Sequence, residues 1–235
     1  MALNPDYWTR FFQREFAPQL RGIVDVLEKR LMPAFEGIES EAEAVSQERW
    51  DSDMSAPGTG YEDPADFAEV AEQAGESHYL LLDGIRQGMV NLFAAALYHV
   101  FEQHVMFFMR KQLLHPSEDN DLRLLRLSEF EERLKTVGVD IRSFSSWPQI
   151  DELRLVANTV KHAEGKSARE LQVLRPDLLE DPQVSTPGLS DLSTAFPVSL
   201  PLLGEDLYVQ LADVRRYRDA LLRFWHELAD ALRLV

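Results

Sequence analysis

Four polar side chains share one side of a short helical stretch. Arg154, Asn158, Lys161 and His162 lie within DELRLVANTVKHAEG, residues 151–165. At about 100° per residue they fall in an arc of roughly 100°. Leu153, Val156, Ala157 and Val160 mark the core-facing side, and Leu155 borders the polar arc. Together the four could serve a phosphodiester. A histidine titrates near neutrality, so His162 can give or take a proton. Arg154 and Lys161 can hold a phosphate and neutralise charge that builds in the transition state. Asn158 can orient the imidazole or bind a sugar hydroxyl. Such a scheme uses neither a metal nor a cofactor. A plainer account also stands at this point: a solvated helix face whose terminal cations suit the helix macrodipole.

A second polar group interrupts the most apolar segment, residues 88–109. There His99 and Glu102 are spaced i, i+3 on or beside an apolar face. Buried ionisable groups need partners. The expectation is a structural hydrogen-bonded pair, or a salt bridge from Glu102 to an arginine such as Arg154. In the latter case Glu102 supports the site from across the bundle. A metal centre is the remaining alternative. Di-iron bundles use Glu-x-x-His twice, whereas here the order is His-x-x-Glu and no second copy appears.

The wider composition narrows the classes. The chain has 235 residues and no cysteine, which excludes disulfides, thiolate metal sites and a cysteine nucleophile. No P-loop, dinucleotide-binding glycine pattern or G-x-S-x-G elbow is present. The start of the chain lacks the pattern of a secretory signal, and the polar interruptions of 88–109 argue against a membrane span. A cytoplasmic protein without membrane partners is expected. The net charge of −16 argues against broad, non-specific binding to nucleic acid. That charge is uneven: residues 36–76 hold thirteen Asp or Glu against one Arg, leaving room for a local basic site elsewhere. The acidic segment itself reads as a solvated helix plus linker.

Apolar periodicity and breakers then place the elements that must hold these groups. The spacing predicts a helix over 5–32, capped by Asn4, kinked or divided at Pro18 and interrupted at Pro33. Helix resumes over 35–50, followed by a loop at 51–66 and a short acidic helix at 65–74 that Gly75 breaks. The longest helix covers 77–114 and stops at His115-Pro116. A shorter one at 127–138 has Ser128 as N-cap, Glu131 in a capping box and Gly138 as stop. The helix carrying the polar stripe is expected to end with Gly165 as its C-cap. Residues 176–206 read as a long irregular excursion, with short extended pieces near 196–200 and 206–210. A last helix fills 211–233. The expected architecture is all-α: one domain over 1–235, a helical bundle of four to five main helices.

The stretch ELRLVANTVKHAEG resembles the late-helix motif of HEPN-superfamily domains. In that motif an Arg precedes a His by four to six intervening residues near a helix C-terminus. The resemblance covers the motif and the general plan of the bundle. It implies an all-α domain of bacterial toxin or anti-phage type, a homodimer, and metal-independent cleavage of RNA. It further implies a site formed where two motif helices meet, with Arg154 contacting phosphate and His162 transferring protons. Asn158, Lys161 and Glu102 would support them on geometric grounds alone. Two features depart from the pattern: seven residues separate Arg154 from His162, and Leu155 rather than a polar residue follows Arg154. The alternative that these departures favour is a non-enzymatic helical module that binds a regulatory protein partner.

Overall fold

The computed structural model describes residues 4–56, 63–118, 121–181 and 206–234. The fold is all-α, a bundle built from many helix–helix contacts, and the described residues include no strand. Helix α1 (Pro5–Phe11) starts where expected, with the Asn4 side chain accepting from the Tyr7 N–H at 3.0 Å. A wide π turn at Phe12–Phe16 leads into α2 (Ala17–Val26). It accommodates the ring and missing N–H of Pro18, so the chain runs on without a break. Gly37, in the left-handed region at φ 87°, turns the chain into α3 (Ile38–Ser55).

Helix α4 (Pro64–Phe108) is the longest element, with 45 residues and a length of about 67 Å. It differs from the sequence expectation at Gly75, where it continues unbroken. The reason lies in packing. A Cβ at Gly75 would sit 2.8 Å from the Ala42 carbonyl oxygen and 3.0 Å from the Ser46 Cβ of α3. The glycine is there to let the α3 backbone approach. The acidic segment is therefore a two-helix hairpin of α3 and the first half of α4. Gly22 in α2 has nothing within 4 Å of an added Cβ. Opposite outcomes are expected from one substitution. Gly75→Ala lowers stability by about 1–3 kcal/mol through overpacking. Gly22→Ala raises it by up to about 1 kcal/mol through helix propensity. Thermal denaturation of the two variants measures both, and a stabilised Gly75→Ala would remove the packing explanation.

The second half of α4 is the spine of the bundle. Val90, Ala94, Leu97, Phe101, Val105 and Phe108 are buried along one face. They meet Trp8, Phe12 and Phe16 from the N-terminal helices, and Tyr217, Phe224 and Trp225 from α8 (Leu211–Ala231). Only that face of the apolar segment is buried; Leu92 on the other side is 61% exposed. Helix α4 is long and apolar enough to cross a membrane by length and composition alone.

Three shorter helices complete the bundle: α5 (Leu127–Thr136), α6 (Trp147–His162) and α7 (Lys166–Leu174). Ser128 lies inside α5 rather than capping it. Arg126 takes the N-cap position without a side-chain bond, and Glu131 is buried in ion pairs instead of closing a capping box. Gly138 does turn the chain at φ 89°, and Val139 N–H returns to the Leu134 carbonyl.

Of the irregular 176–206 stretch, a 3-10 turn at Pro176–Leu179 is described, and the extended piece expected near 196–200 lies outside the described residues. Residues 207–210 follow it to α8 without helix or strand. Buried Asn91 and Gln87 on α4 clamp this run by donating to the Leu207 carbonyl at 2.6 and 3.0 Å.

Candidate functional site

Helix α6 is fixed at its start by α8. The Glu227 carboxylate accepts from the Ser145 N–H at 2.9 Å and from the Ser145 and Ser146 hydroxyls at 2.6 and 2.5 Å. Leu153, Leu155, Val156 and Ala157 are buried, so the apolar side expected from the sequence faces the core and includes Leu155. The polar side is left over a cleft of about 510 Å³ between α4, α5 and α6. Tyr98 and Glu102 of α4 form one wall, Ser128 and Glu131 of α5 another, and Trp147, Asp151, Arg154 and Asn158 of α6 the third.

Within the cleft, Arg154 Nε donates to Asp151 at 2.8 Å, and its guanidinium lies 3.9 Å from Glu170 of α7. It is half-buried, and the expected salt bridge to Glu102 does not form. Glu102 is held above the usual carboxylate range. Burial is the main cause, and His99 and Lys161 draw it partly back. Burial also raises the Tyr98 hydroxyl, with the Glu102 charge adding to the effect. The cleft therefore sets Arg154, paired with Asp151, across from a carboxyl that burial favours in its neutral form. His99 departs from the buried pair expected for it: it is exposed, bonds Gln103 at 3.1 Å, and stays 4.0 Å from Glu102. No cluster of three His, Asp or Glu able to hold a metal occurs among the described residues.

The far end of α6 holds the other half of the stripe. Lys161 is exposed near enough to act on Glu102. His162 is the last helical residue, exposed and outside the walls of the cleft. The helix stops differently from the expectation. Ala163, not Gly165, is the C-cap, at φ 49°, with its N–H on the Thr159 carbonyl at 2.8 Å. With ψ at −96° this lies outside the left-handed helical region, and such a backbone costs a residue with a Cβ about 1–3 kcal/mol. Gly165 is extended and serves as N-cap of α7. A strained stop thus sits directly after His162.

On the opposite side of the same helix lies a group that the stripe reading overlooked. Glu152 is buried and accepts from the Tyr217 hydroxyl at 2.6 Å, from Arg216 at 2.7 Å and from Arg175. Asp213 joins through Arg216 at 2.8 Å and Arg175 at 3.2 Å. The sequence held one signal of it: by helical spacing Glu152 shares a side with Val156 and Thr159, where a lone carboxylate requires partners. Comparison with known proteins gives no match to a family model, a curated protein or a solved structure.

Proposed function

We propose that this protein is a metal-independent endoribonuclease with HEPN-type chemistry, its cleft complete in each copy of a homodimer, in a cytoplasmic toxin or anti-phage setting. The observation that carries the reading is the convergence of Arg154 and Asn158 on one cleft, with Lys161 close enough for its charge to act on Glu102 and His162 one turn beyond Asn158. An RNA strand lying along α6 meets these four in order. Arg154 and His162 are about 12 Å apart along the axis, so the phosphate contact and the proton transfer act on a strand that spans both. The ribose 2′-oxygen bonds to the adjacent phosphorus as its proton passes to His162. The bond from phosphorus to the 5′-oxygen breaks, and that oxygen leaves as a hydroxyl by taking a proton from water. The products carry a 2′,3′-cyclic phosphate and a 5′-hydroxyl. The Asp151 bond to Arg154 is a partly exposed ion pair, so a phosphate can compete for the guanidinium at small cost.

The test is cleavage of total RNA and a tRNA mixture in excess EDTA by wild type, Arg154→Ala and His162→Ala. Wild-type cleavage to cyclic phosphate ends is expected, with a loss of about 10²–10⁴-fold in His162→Ala. Three inert, well-folded proteins would overturn the reading, as would His162→Ala cleaving like wild type. One observation favours a second reading, a non-enzymatic interaction module: His162 stands outside the walls of the cleft. That module would bind RNA or a protein partner with no cleavage to lose.

A further inference from the structure

The outer face of α4 is unusual for a helix that is the spine of a bundle. Leu81, Ile85 and Leu92 are 60%, 46% and 61% exposed. With Gly88 they recur at i, i+4, i+7 and i+11, a single ridge about 180° around the helix from Val90, Leu97 and Phe101. Exposed apolar residues scattered singly need no explanation, but a contiguous ridge does. An added Cβ at Gly88 meets nothing within 4 Å, so the ridge has an open notch beside Ile85.

We propose that α4 pairs antiparallel with α4 of a second copy of this chain along this ridge. Three features select that occupant and that direction. The ridge is centred between residues 86 and 87, and α4 itself, Pro64–Phe108, is centred at residue 86. An antiparallel pair on this ridge therefore overlaps the helices along their whole length. In that register Leu81 faces Leu92 of the second copy, and Ile85 enters the notch at its Gly88. A two-fold axis repeats each contact, which satisfies the self-complementarity of an isologous interface.

Charge gives the third argument. The first part of α4 carries Asp66, Glu69, Glu72 and Glu76, while its last part leads into Arg110 and Lys111. A parallel pair sets the acidic ends side by side, whereas an antiparallel pair brings each acidic end beside a basic one. The second copy's acidic hairpin then lies along the groove of about 490 Å³ lined by His99, Met106, Phe107 and Arg110, which shares Glu102 with the Arg154 cleft.

The pairing does not depend on the cleavage chemistry, and it differs from the meeting of motif helices that the HEPN resemblance implies. It sets the two Glu102 side chains about 45 Å apart along the helix pair. Each Arg154 cleft is then built by one copy and bordered by the hairpin of the other.

The natural absence of cysteine makes the test direct. Wild type should sediment as a dimer at micromolar concentration. Leu92→Glu should weaken association by about 100-fold or more, since each substitution acts twice, without changing the circular dichroism or melting temperature. Oxidation of mixed L81C and L92C proteins should give a covalent dimer, whereas each alone should not. Four results would overturn the pairing: a monomeric wild type, a Leu92→Glu dimer of unchanged strength, an L92C protein that cross-links to itself, or a monomer that binds lipid vesicles through this ridge. RNA cleavage by a monomeric Leu92→Glu protein would leave the ribonuclease reading standing, so the two proposals fail separately.

Discussion

Replacing Glu152 by Gln should lower the stability of the protein by about 2–3 kcal/mol, because it removes the buried carboxylate of an ion network and leaves its half-buried cations in place, with Asp177 still holding Arg175. The carboxylate takes bonds from Arg216, Arg175 and the Tyr217 hydroxyl at the junction of α6 with α8 and the end of α7. An amide of the same shape offers one acceptor oxygen and turns N–H donors toward two guanidinium groups. Asp213 cannot compensate, as it already accepts from both arginines and from the Gln210 N–H. For a chain of this size the expected fall in melting temperature is about 4–12 °C. Tyr217→Phe, which removes only one donor, should cost about 1 kcal/mol. A Glu152→Gln protein melting within a degree or two of wild type would show that the network contributes little.

The same group makes a pH statement. Burial alone would raise the Glu152 carboxyl, but the bonds from Arg216 and Tyr217 and the charges of Arg216 and Arg175 outweigh it and hold it below the usual range. Its contribution is present above the unfolded value, near 4.5, and is lost as pH falls through the lower folded value. Acid sensitivity from this network therefore lies below about pH 4.5.

Helical periodicity carried most of the architecture. The Asn4 cap, the stop at His115-Pro116 and the buried side of α6 all follow from local patterns that tertiary packing reinforces. Most of the failures share a cause, a contact that lies outside the local pattern. Gly75 reads as a breaker until Ala42 is brought against it. Ser128 and Glu131 read as a capping box, but Arg142 and Lys135 bind Glu131 more strongly than a helix end would. The site was legible in the same measure. The side shared by Arg154 and Asn158 is set by the helix repeat, whereas the cleft before it needed Tyr98 and Glu102 from α4. The exposure of His162 depends on where α6 stops, and that stop is one strained residue, Ala163, which no sequence rule selects.

Between about pH 6.5 and 4, the protein should lose about 3 kcal/mol of stability to one histidine. His104, on the buried face of α4, is stacked on Phe16 at 3.8 Å between ring centres, with Nε2 3.2 Å from the side-chain Oε1 of Gln19 and Nδ1 unpartnered. Burial pulls its pKa down from 6.5 to about 4, because an imidazolium there would have no carboxylate to answer it. The unfolded chain takes up the proton near pH 6.5 and the folded chain only near pH 4. Unfolding thus binds one proton across that window. The contribution is fully present above pH 6.5 and declines as the pH falls. Denaturant melts at several pH values should show this slope in wild type. His104→Phe, which keeps the stack on Phe16 and leaves exposed Gln19 to water, should flatten it. The window separates this histidine from Glu152, whose loss lies below about pH 4.5. If His104→Phe keeps the full slope between pH 6.5 and 4, the acid sensitivity comes from another group, and the buried neutral imidazole is not its source.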